Sequence, residues 1–373
     1  MKGFYFINTD IINTRAHTCQ ILNTVASIDS GLSIDIVAPK YHDVVDFDAI
    51  KQRHDLLKAP RVIFLRNFGI RTPKVVTFIL FNVPAILFLF SKKIKKEMDF
   101  IYIRSSLFLP LVIFAYILRT PVFYETHRKP LSLRERYRDY IISKIATGII
   151  VISTHMREHY LSYKKKILVV HDAVSLQRFA VTIGKNEARK KLGFSLDKNI
   201  CLYTGTVSKL KGVDYVFEVA RILPEILFIL VGQISSEFVY ANLPSNVRML
   251  GRKEQKELPM ILQVADVLLL PHPKSEYSQS PMKLFEYMAS GRPIVASKLP
   301  SILEVLNDRN AVLVEAESAT ALASGIKKLF NDECFSKLIS EIAQDDVKRY
   351  TWEIRGDKIA GFIKKIILFK NKK

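Results

Sequence analysis

Cysteine is scarce in this chain of 373 residues: three in all, at positions 19, 201 and 334, far apart and in no C-x-x-C pair. That excludes a disulfide framework and a sulfur-rich zinc site, and it suits a reducing cytoplasm. The opening residues MKGFYFINTD hold no apolar core of the secretory-leader kind. Glycine and proline gather into no low-complexity tract, and no repeat of fixed period is present, which excludes solenoids and linker-like chains. There is no G-x-x-x-x-G-K-[ST] phosphate loop, no zinc-finger spacing, no RNP-type aromatic motif and no helix-turn-helix pattern, so a nucleic-acid partner is not expected. Long hydrophobic runs are lacking as well. Residues 75–90 are apolar but short for a membrane span, with Asn82 and Pro84 inside them, and residues 107–118 are shorter still.

Nearly half the residues are hydrophobic, and the length suits two α/β cores better than one. The formal charge is +20. Such an excess attracts anions in general, whether nucleic acid, anionic lipid or phosphorylated substrates. Its placement narrows the choice, because Lys92, Lys93, Lys95 and Lys96 directly follow an apolar run and the tail IKKIILFKNKK mixes the same residue types. An anionic membrane surface is therefore the expected partner, reached peripherally from the cytoplasmic side. Residues 75–90 themselves suit either full burial or a helix lying on that surface.

Short apolar strands alternate with helical spacing along the whole chain. GFYFIN, LSIDIVAP, DFIYIR, PVFYETH, TGIIVIST and KILVVHDAV come first, and a polar, lysine-rich stretch follows at 180–199. The rhythm then restarts with NICLYTG, ILFILVG, VRMLG, VLLLPH and PIVAS. This alternation predicts parallel sheets in two Rossmann-like domains. We place the boundaries at 1–179 and 180–345, with a last helix at 346–373.

Two segments carry chemistry. Thr204-Gly205-Thr206-Val207-Ser208-Lys209-Leu210-Lys211-Gly212 lies between a strand and a helix. Its glycines let the backbone approach a phosphate, and Lys211 with the helix start supplies positive charge. Alone, it is equally a tight turn with a surface lysine. The second segment runs from Ser278 to Pro293, SQSPMKLFEYMASGRP. Ser280 suits an N-cap and Pro281 the first helical position, so Met282, Lys283 and the free N–H groups would face an anion. Glu286, one turn inside, would accept hydrogen bonds from neighbouring ribose hydroxyls. Two phosphate-type turns in one domain favour a donor site over two solvated surfaces. Asp46-Phe47-Asp48 has the D-x-D form of some metal-dependent transferases, but no strand precedes it, and we read it as chance.

These segments, in this order, resemble the retaining GT-B glycosyltransferases of family 4. Gly205, Lys211 and Gly212 match the family's G-R-L-x-x-x-K-G turn, and Glu286 with Met288-Ala289-Ser290-Gly291-Arg292-Pro293-Ile294-Val295-Ala296 matches its later E-A-M-A-x-G-x-P-[VI]-[VI]-A element. Arg15-Ala16-His17, Tyr124-Glu125-Thr126-His127, Ile152-Ser153, Val170 to Val174 with Phe179, and Trp352 extend the likeness over essentially the whole chain. The resemblance implies two domains facing a cleft, a C-terminal helix crossing back to the first, and donor binding mainly by the second. It implies donor contacts from Gly205, Thr206, Lys209, Lys211, Ser278, Ser280, Pro281, Met282, Lys283 and Glu286. It casts His127 beside the donor sugar; Arg15 and His17, at the first βα turn, are expected on the acceptor side, facing acceptor or phosphate. A lone histidine is ordinarily structural, but the strand-end position of His127 and its neighbours Glu125 and Arg128 favour the site. Thr206 stands where the family has an arginine, and Ser278 where it has the first of two glutamates. Lys209 or Lys283 is expected to restore the charge, and Ser278 or Glu276 to serve the sugar.

The expected reaction moves a sugar from a nucleoside diphosphate sugar to an acceptor hydroxyl with retention, catalysed through His127, Lys211 and Glu286. No metal and no cofactor are expected. A lipid-linked or growing cell-surface glycan suits the basic, apolar first domain as acceptor. A GT-B sugar-nucleotide epimerase and a membrane adaptor that has lost the chemistry are the alternatives.

Overall fold

The computed structural model describes residues 1–12, 16–29, 31–66, 74–180, 183–238, 242–274 and 282–371. The chain divides into two compact units, Met1–Asp172 with Trp352–Lys373, and Ala173–Thr351. The divisions at 172/173 and 351/352 correct the expected ones at 179/180 and 345/346. The reason is packing: Val174, Phe179 and Val347 are buried in the core of the second unit. Val174 also pairs with Thr351 in an isolated bridge, so the chain enters and leaves that unit side by side.

The first unit is built on seven strands: β1 (Lys2–Phe6), β2 (Ser33–Pro39), β3 (Val62–Leu65), β4 (Phe100–Ile103), β5 (Val122–Thr126), β6 (Gly148–Val151) and β7 (Lys166–Val169). They form a parallel sheet in the order β3-β2-β1-β4-β5-β6-β7. Apolar residues occupy both faces of a strand, as a sheet covered by helices on both sides requires. Tyr5 faces one core and Phe4 and Phe6 the other. The helix Trp352–Asn371 joins the first of these cores through Ile359, Ile363, Ile366 and Ile367, which recur at helical spacing. Gly356 lets it lie against the helix Ala16–Ser27, since a Cβ there would fall 2.5 Å from Ser27 Oγ.

The second unit has six strands: β8 (Ile200–Thr204), β9 (Leu227–Val231), β10 (Val247–Met249), β11 (Val267–Leu270), β12 (Ile294–Ser297) and β13 (Val312–Val314). They too are parallel, in the order β10-β9-β8-β11-β12-β13. In each sheet the order reverses once, between β1 and β4 and between β8 and β11. Such a switch point opens a crevice beyond the carboxyl ends of the strands.

Three sequence readings need revision. The lysine-rich stretch at 180–199 is no simple divider: Lys185–Leu192 is a docked helix whose Arg189 is buried. The Arg189 guanidinium donates to Asp266 at 2.6 Å and to three backbone carbonyls. Asp46 is an N-cap that accepts from the Ala49 amide at 2.9 Å, which gives the D-x-D sequence a structural purpose. Residues 75–90 belong to one helix, Lys74–Ile94, and it is neither fully buried nor fully exposed. Phe81, Ala85 and Leu89 are buried, whereas Val83, Leu87, Phe90 and Ile94 lie exposed along the opposite stripe. The adjacent helix Leu109–Ile117 exposes Ile113, Tyr116 and Ile117. Among the described residues no helix is long and apolar enough to cross a membrane.

Candidate functional site

In the first unit, polar side chains gather beyond β1, β4 and β5, beside the switch point. Glu125 near the end of β5 is buried and accepts three hydrogen bonds. Tyr102 on β4 donates to Oε2, and His127 Nε2 pairs with Oε1. Arg355 Nη2, from the last helix, donates to Oε1 at 2.6 Å. Burial alone would raise the carboxyl pKa, but the charge of Arg355 and the hydrogen bond from His127 outweigh it and hold the group far below the usual carboxylate range. Arg355, itself buried, also donates to Thr24 Oγ1 at 3.3 Å, Val170 O at 2.9 Å and His171 O at 2.8 Å.

Around this pair runs a second chain of contacts. Arg104 donates to Gln20 Oε1 at 2.6 Å, and Gln20 Nε2 donates to Asp172 Oδ2 at 2.6 Å. Asp172 is buried and its Oδ1 has no hydrogen-bond partner. It lies 3.9 Å from His127 Nδ1, too far for a hydrogen bond between them. Burial, then Arg104, pushes the His127 pKa down, against the pull of Glu125. Burial, then Arg104 and His127, takes the His17 pKa down to about 3. Both imidazoles are therefore neutral at physiological pH. The neutral His127 ring, donating from Nε2 to Glu125, presents Nδ1 as an acceptor. The cluster can hold hydroxyl groups without supplying a strong acid. Arg15, expected beside His17, lies outside the described residues.

The second unit's candidates assemble at the β8–β11 switch point. β8 ends at Thr204, and Gly205 (φ +122°) turns the chain toward a short helical turn, Lys209–Lys211. Gly212 (φ +72°) then starts the helix Val213–Ile222. Both glycines hold backbone angles that favour glycine, and Gly212 is also required by its surroundings. A Cβ at Gly212 would strike the Pro271 carbonyl, and one at Gly205 would fall 2.5 Å from Lys283 Nζ. The ammonium of Lys283 therefore lies against the turn. It sits 3.9 Å from the centroid of the Tyr203 ring, is buried and makes no hydrogen bond. Burial, then Lys211, holds its pKa well below that of an ordinary lysine, opposed by Glu286. Burial lowers the Lys211 pKa in the same direction. Thr206 and Lys209 are exposed, so of the two lysines expected to stand in for the missing arginine, it is Lys283 that reaches the turn.

Glu286 is buried in the helix Met282–Ala289, one turn from Lys283. Burial raises its pKa, and the charges of Arg178 and Lys283 oppose that rise. The same helix is fixed to β8 by Tyr287, whose hydroxyl accepts from the Thr204 amide at 2.7 Å. Glu276, Ser278, Ser280 and Pro281, and with them the proposed helix mouth, lie outside the described residues. Met282 is half-buried.

Several residues of these clusters went unremarked in the sequence. Arg355 reads as one more charge on an amphipathic helix, and Arg104 as a strand-end cation. His272 follows β11, is fully buried, and leaves both ring nitrogens without a partner. Burial, then Lys283 and Lys211, keeps its pKa well below the ordinary value. Its place just past a strand at a parallel-sheet switch point was the available signal.

Residues 184–346 match the family model described as Glycosyl transferases group 1. The chain is 23% identical over 258 residues to the UDP-Gal:alpha-D-GlcNAc-diphosphoundecaprenol alpha-1,3-galactosyltransferase of Escherichia coli, covering 64% of this chain and 65% of that one. The chain spans only part of the curated relatives it matches, 59%, 58% and 65% of their length in three cases and 46% and 26% in two others. Among solved structures it is similar to the sucrose-phosphate synthase of Thermosynechococcus elongatus, with a TM-score of 0.79 at 17% identity, over 99% of this chain and 100% of that one. It is also similar to HepE of Anabaena in complex with UDP-glucose, with a TM-score of 0.73 at 17% identity, over 98% and 100%. These likenesses show the fold: the two parallel-sheet units are those of GT-B glycosyltransferases.

Proposed function

We propose that this GT-B protein, whose second unit carries a group 1 glycosyl transferase segment, moves a sugar from a nucleoside diphosphate sugar to an acceptor hydroxyl in glycan synthesis. One observation carries the reading: the buried, unpartnered ammonium of Lys283, set against the Gly205 turn at the switch point with Lys211 nearby. An ammonium held out of water with no hydrogen-bond partner among the described residues is costly to keep. A diphosphate supplies the missing partner, and the charge growing on that group as the sugar leaves is what these lysines stabilise. In this reading Glu286 accepts from ribose hydroxyls, and His127 with Asp172 takes hydroxyl groups of the sugars. No metal is required for that division of labour. The same uncompensated charge speaks against a binding-dead adaptor, in which nothing would preserve it.

Retention at the anomeric carbon follows the family resemblance. A lipid-linked or glycan acceptor suits the first unit, where Val83, Leu87, Phe90 and Ile94 form an exposed apolar stripe beside Ile113, Tyr116 and Ile117. Lys92, Lys93, Lys95 and Lys96 flank that face, and an apolar surface rimmed with lysines fits the anionic leaflet of a membrane.

The test is purified protein against a panel of nucleotide sugars with and without glycan or lipid-linked acceptors. Turnover only with acceptor supports transfer, with retention read from the anomeric configuration of the product. Conversion of donor alone would instead make the protein an epimerase, and binding of none would remove the donor site.

A further inference from the structure

Three buried nitrogens lie around one turn in the second unit without a hydrogen bond: Lys283 Nζ and both ring nitrogens of His272. Buried polar atoms in folded proteins almost always have partners, so three orphans at one place describe a site shaped for something that is not protein. Pro271 and Pro273, on either side of His272, back Gly212, while Lys283 backs Gly205. Lys283 packs against the turn from the helix Met282–Ala289, and His272, just past β11, has Lys283 and Lys211 as its electrostatic neighbours. The other charged or titratable groups acting here are Lys211 on the turn, Glu286 on the helix, which Arg178 also faces, and Tyr203 on β8. Among the described residues, the electrostatic neighbours of His272 are both lysines.

We propose that Lys283 and His272 are the phosphate-oxygen ligands of this chain, and that His272 is neutral in the free protein and takes up a proton from solvent as the diphosphate binds. The inference rests on the donor-site reading above and adds to it a residue and a proton. A dianion beside the ring reverses the electrostatics that two lysines impose. It makes the imidazolium the favoured form, able to donate to a phosphate oxygen. No covalent bond changes: the proton moves from the buffer to a ring nitrogen that has no partner.

The experiment is isothermal titration calorimetry of the full chain with UDP, GDP and ADP. The tightest of the three is then repeated near neutral pH in buffers of different ionisation enthalpy. The expected result is an observed enthalpy that varies with the buffer in the sense of proton uptake. His272→Gln keeps a hydrogen-bond donor but cannot be charged, so the uptake falls. Lys283→Met removes the buried charge and keeps the stem. It should weaken binding about 10- to 100-fold, the worth of one charge-assisted hydrogen bond. The free Lys283→Met protein should also melt at or above the wild-type temperature, because an uncompensated buried charge is gone. A residue with only a structural role would lower the melting point and leave affinity alone. Identical enthalpies in all buffers, or uptake undiminished in His272→Gln, would overturn the proton-linked site, and unchanged affinity in Lys283→Met would overturn the phosphate role of that lysine. If the folded wild-type protein bound none of the three nucleotides, the donor-site reading itself would fall first.

Discussion

Replacing Arg355 with methionine tests the architecture of the first unit where its chemistry is most concentrated. The guanidinium makes four hydrogen bonds: to Glu125 Oε1 at 2.6 Å, His171 O at 2.8 Å, Val170 O at 2.9 Å and Thr24 Oγ1 at 3.3 Å. Both members of the ion pair have side chains 2% exposed, so solvent cannot take over for the lost partner. Methionine matches much of the stem but leaves Glu125 as a buried charge held only by Tyr102 and His127. Breaking a buried pair from one side costs about 3–5 kcal/mol. For a unit of this size each kcal/mol moves the midpoint by about 2–4 °C, so the first unit's melting transition should fall by about 6–20 °C. The pH dependence gives a second handle. In the wild type the Glu125 pKa lies below its unfolded value. Its contribution to stability is therefore complete above the unfolded pKa and is lost as pH falls through the folded one. Without Arg355, desolvation dominates and lifts the folded pKa above the unfolded value, so acid relieves the variant. The difference between the two melting curves should accordingly narrow as pH drops from neutral toward the carboxylate range. Glu125→Gln in the Arg355→Met background should recover part of the loss. Calorimetry or circular dichroism at several pH values measures all of this. A penalty below about 1 kcal/mol, typical of an exposed ion pair, would refute the argument. So would a gap that stays constant with pH.

The other expectations are more local. Glu286→Ala should weaken nucleotide-sugar binding about 10- to 100-fold in a protein that stays folded, and unchanged affinity by calorimetry would take Glu286 out of the site. Lys211→Ala should lower the transfer rate more than the melting temperature, because its charge matters most as the diphosphate departs; wild-type turnover would disprove that assignment. Chelator should leave activity intact, and loss restored by added metal would contradict the metal-free reading. Flotation with anionic vesicles should fall as salt rises and fall again on charge reversal of Lys92, Lys93, Lys95 and Lys96. Leu87→Asp with Phe90→Asp should abolish it, since both side chains are exposed on the apolar stripe. Equal recovery on neutral vesicles would dismiss the electrostatic part of the docking.

Much of this protein was legible without coordinates. The alternation of apolar strands and helical spacing dictates parallel α/β units, because strands buried on both faces must be apolar on both faces, as in β1 and β8. The Gly205–Gly212 turn and the helix carrying Lys283 and Glu286 were readable too, since glycine and lysine at strand–helix junctions report local backbone and charge requirements. Local signals failed where contacts are long-range. Nothing around Arg355 announces that it reaches Glu125 across 230 positions of sequence. Nor does the spacing of Val174 and Thr351 show that they pair, which is why the unit boundaries shifted. Periodicity likewise left the helix Lys74–Ile94 undecided. An all-apolar helix has no polar face to mark its outside, and only packing against the sheet selects Phe81, Ala85 and Leu89 for burial and leaves Leu87 and Phe90 in the open. The same holds for the choice between Lys209 and Lys283. Each is a lysine of one of the two phosphate-type segments, but the fold exposes one and buries the ammonium of the other against Gly205. Composition and pattern determine which elements form; which side chains lose their water, and beside which others, is decided only when the sheets bring distant segments together.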